Sequence, residues 1–168
     1  MTESFEFNEV DYFTVGTLGP RGERTFFLQG RSEGQLVSLK LEKQQVSALA
    51  DYLDQVLEDL PEVDQEPTAL NPEDLDLREP VVPAFTVGGF GIAYAGDQDR
   101  LVVMAEEAPD ADEPGEYEPA QARFLLRRDQ VAVWIERARE IVAAGRPPCP
   151  FCGTPLQPRN GDWCACSN

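Results

Sequence analysis

All four cysteines of the chain lie in its last 20 residues, "CPFCGTPLQPRNGDWCACSN". Cys149-Pro150-Phe151-Cys152-Gly153 is a C-x-x-C turn closed by a glycine, the knuckle form that aims two thiolates at one point. Cys164-Ala165-Cys166 supplies two more, as C-x-C rather than a second knuckle. Four thiolates at this spacing are expected to hold a tetrahedral structural Zn²⁺, leaving no open position for a catalytic water. Iron in a rubredoxin-like centre is the alternative that the same donors allow, and a redox dithiol is a third.

Elsewhere the chemistry is sparse. The chain has no histidine, which excludes Ser-His-Asp and Cys-His arrangements and removes the commonest near-neutral proton carrier. Gly88-Gly89-Phe90-Gly91 has the glycine content of a phosphate cradle, but a strand follows where such a site needs a helix N-terminus. A bulge or a close backbone approach is expected there instead. Asp97, Asp99, Glu106 and Glu107 flank the apolar run "RLVVMA" and have the oxygen donors of a hard-cation site, although acids that form hairpin turns explain them as well. Arg21, Glu23 and Arg24 read as a surface ion network of little weight for stability. Arg123, Arg127 and Arg128 make the most basic spot on the chain. They are either a patch for an anion or docking partner, or arginines paired with the acidic loops.

The elements that must position these groups follow from periodicity. Runs at 12–19, 24–31 and 35–42, joined by short Gly- or Pro-containing turns, predict a three-stranded antiparallel meander, with "FEF" (5–7) as a possible start of the first strand. After Glu42 the period becomes helical: Val46, Leu49, Ala50, Leu53, Val56, Leu57 and Leu60 form one apolar stripe that Pro61 ends. The second half repeats the unit. "FTVGTLG" (13–19) returns as "FTVGGFG" (85–91), an offset of 72, and "VSLKLEKQQVSALADYLDQVL" aligns with "ARFLLRRDQVAVWIERAREIV" at an offset of 85. The stripe reappears at Val131, Trp134, Ile135, Ala138, Ile141 and Val142. The expected fold is α+β: an internal duplication of a β-β-β-α unit, antiparallel sheet covered by two helices, and a small C-terminal zinc knuckle. Residues 1–60 form the first repeat, 61–80 an acidic Pro-rich connection, 81–145 the second repeat and 146–168 the tail, with the repeats about a pseudo-twofold axis.

At 168 residues the chain can bury a core without a metal to staple it. Asp+Glu 31 against Lys+Arg 14 gives a formal charge of −17, a field that repels nucleic acid and anionic lipid. The acids cluster: residues 54–79 carry ten against one arginine, and 106–118 carry seven with no base. Such blocks are most often solvated loops. The acidic N-terminus has no apolar run of signal-peptide length and no stretch matches a membrane span, so a cytoplasmic protein is expected.

"GTLGPRGERTFFLQ", "VSLKLEKQQVSALADYLDQVL" and the closing "CPFCGTPLQP…GDWC" together resemble a bacterial family of unknown function, family 3090, best represented in actinobacteria. The resemblance runs over nearly the whole chain. Members typically close with Cys-x-x-Cys and then Gly-His-x-Cys, which implies Cys149, Cys152 and Cys164 as ligands. Asp162 stands at the histidine position, so Cys166 is the natural fourth ligand and Asp162 the runner-up. The family brings no activity with it. The function expected is that of a non-enzymatic zinc-binding protein, a binding or adaptor module for another protein. The alternatives are an enzyme with a carboxylate site at the junction of the repeats, and rubredoxin-like electron transfer.

Overall fold

A computed structural model of the chain describes residues 4–20, 22–61, 75–109 and 118–144. In chain order the elements are β1 (Phe5–Phe7), β2 (Tyr12–Leu18), β3 (Thr25–Ser32), β4 (Gln35–Leu41), α1 (Lys43–Asp59), β5 (Pro83–Ala95), β6 (Arg100–Glu107), β7 (Gln121–Leu126) and α2 (Arg128–Ala143). β2-β3-β4 and β5-β6-β7 are both antiparallel meanders, and a helix follows each. Glu33 and Gly34, with φ of 52° and 81°, make the two-residue turn between β3 and β4, the left-handed geometry that matches strand twist in a tight hairpin.

All seven strands join one sheet in the order β1-β7-β6-β5-β4-β3-β2. It is mixed rather than antiparallel, because β4 pairs with β5, and β1 with β7, in parallel. The chain between β4 and β5 includes all of α1, and such a crossover returns the next strand in the same direction. "FEF" is not the start of β2; it is a separate strand on the far edge, Phe7 beside Phe124. The "FTVG" match also pairs unlike positions: Phe13 sits opposite Gly30 on β3, whereas Phe85 lies beside Leu39 on β4. β5 turns to β6 only from Val87 onward, after a register shift between Val87 and Gly89. A Cβ on Gly88 would come within 2.7 Å of Ala108 Cα, so bulge and close approach coincide there.

Inward positions alternate along each strand, as a half-buried sheet requires: Phe13 and Val15, Phe26 and Leu28, Leu39 and Leu41, Leu101 and Val103, Phe124 and Leu126. The sheet curls enough for Phe124 of β7 to reach Phe13 of β2, ring centroids 5.4 Å apart. The helical stripes close the core. Val46, Leu49, Ala50 and Leu53 are buried on α1, and Val131, Trp134, Ile135 and Ala138 on α2. Trp134 stacks on Phe13 at 5.8 Å. Arg139 of α2 meets Asp51 and Asp54 of α1 at 3.3 and 3.1 Å, exposed pairs that contribute little. No helix among the described residues is long and apolar enough to cross a membrane.

Candidate functional site

The outward faces of the two meanders differ. On β2–β4 the outward row is polar and covered: Tyr12, Thr14, Gln29 and Ser38 lie beneath the segment Leu75–Arg78, the end of the acidic connection. The Tyr12 and Thr14 hydroxyls donate to the carbonyls of Asp76 and Leu75. Gln29 donates to Ser38 Oγ at 3.0 Å and to the Arg78 carbonyl at 2.9 Å, while the Arg78 N–H donates to Gln29 Oε1 at 2.8 Å. A chain crossing a sheet face in this way must find partners for its backbone, and these side chains supply them. Gly16 makes room for Leu77, whose Cγ would lie 2.5 Å from an added Cβ. Arg137 of α2 donates to the Val15 carbonyl at 2.7 Å and meets Asp76 at 3.4 Å, fixing the segment at the sheet edge. Burial holds the Tyr12 hydroxyl above its ordinary pKa.

On β5–β7 no described segment covers the middle of the outward face. Gly89, Gly91 and Ala93 of β5 are exposed and Met104 of β6 is 37% exposed, with Glu106, Gln121, Arg123 and Glu6 around them. The floor has almost no side-chain relief.

The four carboxylates flagged in the sequence divide between two places. Asp97 and Asp99 stand in the β5–β6 turn, Glu106 and Glu107 at the opposite end of β6. Seven residues of strand put roughly 20 Å between Asp99 and Glu106. Asp99 is engaged: its Oδ1 accepts from the Tyr94 hydroxyl at 2.6 Å and from Arg128 Nε at 2.8 Å, and Arg128 also reaches the Tyr94 oxygen at 3.2 Å. The Tyr94 hydrogen bond, with help from Arg128 and against the cost of burial, holds the Asp99 carboxyl below its ordinary pKa. Among the described residues no group of three or more Cys, Asp or Glu is placed to hold a metal.

The three arginines of the predicted basic patch do not act together. Arg123 pairs with Glu6 at 3.2 Å, Arg127 with Asp129 at 3.1 Å, and Arg128 with Asp99. Arg21 lies outside the described residues. Arg24 is in no ion pair with a described acid; it donates to the Ala144 carbonyl at 3.1 Å, at the end of α2. It also lines a cavity of about 380 Å³ with Lys40, Lys43, Glu42, Phe26, Leu41 and Ile141. No motif spacing joins this group, because its members come from a turn, a strand end and a helix start. Their signal was scarcity, since Lys40 and Lys43 are the only lysines in the chain.

Cys149, Cys152, Asp162, Cys164 and Cys166 lie outside the described residues. Neither a curated protein nor a solved structure gives a significant match to the chain. One family model does, that of "Protein of unknown function (DUF3090)", over residues 5–164. With nearly its whole length matched, the chain belongs to that family.

Proposed function

We propose that the protein is a non-enzymatic binding module that docks another protein on the outward face of β5–β7. The bare floor of Gly89, Gly91, Ala93 and Met104 carries this reading, because the same face of β2–β4 is covered by an extended segment with a leucine at its centre. The occupant we infer is a segment of a partner protein that lays an apolar side chain on the glycine floor, between Glu106 and Arg123. A surface of this kind marks interaction sites on soluble proteins. The net charge of −17 argues against nucleic acid or an anionic membrane as the partner, and the place of action is the cytoplasm.

The tail is a structural zinc knuckle in this reading. The donor chemistry of Cys149, Cys152, Cys164 and Cys166 fits Zn²⁺, with Asp162 as the substitute for Cys166. Internal duplication belongs to it too, supported by reciprocal contacts. Gln45 of α1 donates to the Val87 carbonyl at 3.0 Å, and Gln130 of α2 to the Val10 carbonyl at 2.8 Å. Leu39 lies beside Phe85 as Phe124 lies beside Phe7. Each pair exchanges the two units, as a pseudo-twofold axis requires, and equates Val10 with Val87 rather than Val15 with Val87.

The test compares the proteins that co-purify from native cells with the wild type, with Gly91→Arg and with Cys149→Ser/Cys152→Ser. An added Cβ at Gly91 meets only Met104 Cε, at 3.8 Å, so the fold accepts the change. Loss of a specific partner with Gly91→Arg is expected. Retention of every partner by that variant, or turnover of a substrate abolished by one side-chain change, defeats the proposal.

A further inference from the structure

The three cations of the cavity near the end of α2 have no role in the docking reading. We propose that the cavity of Arg24, Lys40 and Lys43 binds the phosphoryl group of a small phosphorylated molecule, whose organic part rests on Phe26, Leu41 and Ile141.

Charge distribution is the first argument. In a chain with 31 acidic and 14 basic residues, a cation has carboxylates to choose from. Arg31, Arg123, Arg127, Arg128, Arg137 and Arg139 each take one within 3.4 Å. Among the described residues Lys40, Lys43, Arg24, Arg78 and Arg100 do not, and the first three line one cavity beside Glu42, whose side chain is turned to the first turn of α1 in a capping box. Three cations against the one carboxylate of Glu42 leave the cavity with an excess of positive charge, which opposes folding, so their convergence points to an external anion. Capping explains only part of it. The bond from Arg24 to the Ala144 carbonyl answers the negative end of α2, yet uses one of five guanidinium N–H groups and leaves both ammonium groups unused.

Shape and donor type then select the ligand. A volume of about 380 Å³ lies at the small end of ligand pockets. A phosphoryl dianion presents three terminal oxygens and takes donors from three directions, which suits two ammonium point charges and one guanidinium. A single carboxylate is served by one arginine fork. Phe26 and Leu41 are buried and Ile141 half-buried at the wall, an apolar backing that inorganic phosphate cannot use. Long polyanions are disfavoured, because the local cations act within a Debye length of about 8 Å while the remaining charge repels from farther away.

Calorimetric titration of the full chain with phenyl phosphate, inorganic phosphate and citrate tests this. Phenyl phosphate is expected to bind about tenfold tighter than inorganic phosphate and citrate, and to weaken as salt is raised. Lys40→Gln/Lys43→Gln, whose side chains are exposed, is expected to keep the melting temperature and lose about tenfold or more in affinity. Arg24→Gln should do the same. Gly91→Arg should bind phenyl phosphate like the wild type, which separates this site from the docking face. No heat with either phosphate up to about 10 mM, undiminished binding by the double lysine variant, or citrate binding as tightly as phenyl phosphate overturns the proposal.

Discussion

The ring of Phe124 on β7 fills the space that a side chain on Gly30 of β3 would need: an added Cβ would lie 2.4 Å from Phe124 Cε1. β3 and β7 are four places apart in the sheet, so this contact exists only because the sheet curls. Gly30→Ala is therefore expected to destabilise the protein by about 1–3 kcal/mol through overpacking. Combined with Phe124→Leu the penalty should shrink. Urea denaturation of the two single variants and the double variant gives the coupling, and simple additivity would show that the ring does not set the limit at Gly30.

Asp99 predicts an acid-sensitive contribution to stability. Its side chain is 15% exposed and that of Arg128 20%, and the Tyr94 and Arg128 bonds keep its folded pKa below the unfolded one. Protonation then favours the unfolded chain. The contribution is complete above the unfolded pKa of about 3.9 and is lost as pH falls through the lower folded value. Asn tolerates the left-handed backbone that Asp99 adopts at φ 50°, so Asp99→Asn keeps the turn. It should cost about 1–3 kcal/mol at pH 7 and flatten the loss of stability as pH falls below about 4. Thermal melts across that range check it, and an acid limb identical to the wild type's would contradict the assignment.

The segment over β2–β4 should come loose when its seat is altered. Gln29→Leu leaves the N–H and C=O of Arg78 without partners, a loss of about 1–3 kcal/mol, and Gly16→Ala drives a methyl group into Leu77. In either variant the Arg78 amide is expected to exchange hydrogen faster while α1 and α2 keep their protection. Unchanged exchange at Arg78 would mean that the segment is held by something else.

For the tail, Cys149→Ser/Cys152→Ser is expected to release zinc measurable by elemental analysis in the wild type, with little change in the melting of the sheet and helices. Structural zinc in isolated fingers is worth roughly 10–16 kcal/mol of apparent binding. Here it should order the tail more than the core, because both meanders and both helices already contribute to one buried cluster. A wild-type protein isolated red and rich in iron would move the tail to electron transfer, and one with no metal would remove it from metal chemistry.

The strands of both meanders and the two helices were legible in the sequence because each carries its own period: alternation at Phe13 and Val15, and a 3.6-residue stripe from Val46 to Leu57. Pairings between distant segments were not. Nothing local in Phe5–Phe7 says that it lies beside residues 122–124, and nothing in Ser38–Lys40 names β5 as its parallel neighbour, since hydrophobic alternation fixes a face and not a partner. The "FTVG" match misled because β5 is longer than β2 and spends its first residues on β4. The candidate anion cavity escaped for a related reason. Arg24, Lys40 and Lys43 have no motif spacing, and only the curl of the chain shows that they meet.

The seat of β1 sets the order in which the protein can be made. Phe5–Phe7 leaves the ribosome before the other described strands, yet its partner, Ala122–Phe124, emerges more than a hundred residues later. The β2–β3–β4 hairpins close over short loops and can form early, whereas pairing β1 with β7 closes a loop of more than a hundred residues. During synthesis the two phenylalanines of β1 lack their β7 neighbours until Ala122–Phe124 appears. That final pairing fastens the two ends of the described sheet together, and a nascent chain halted before β7 carries an unpaired β1 open to chaperones and to other unfinished chains.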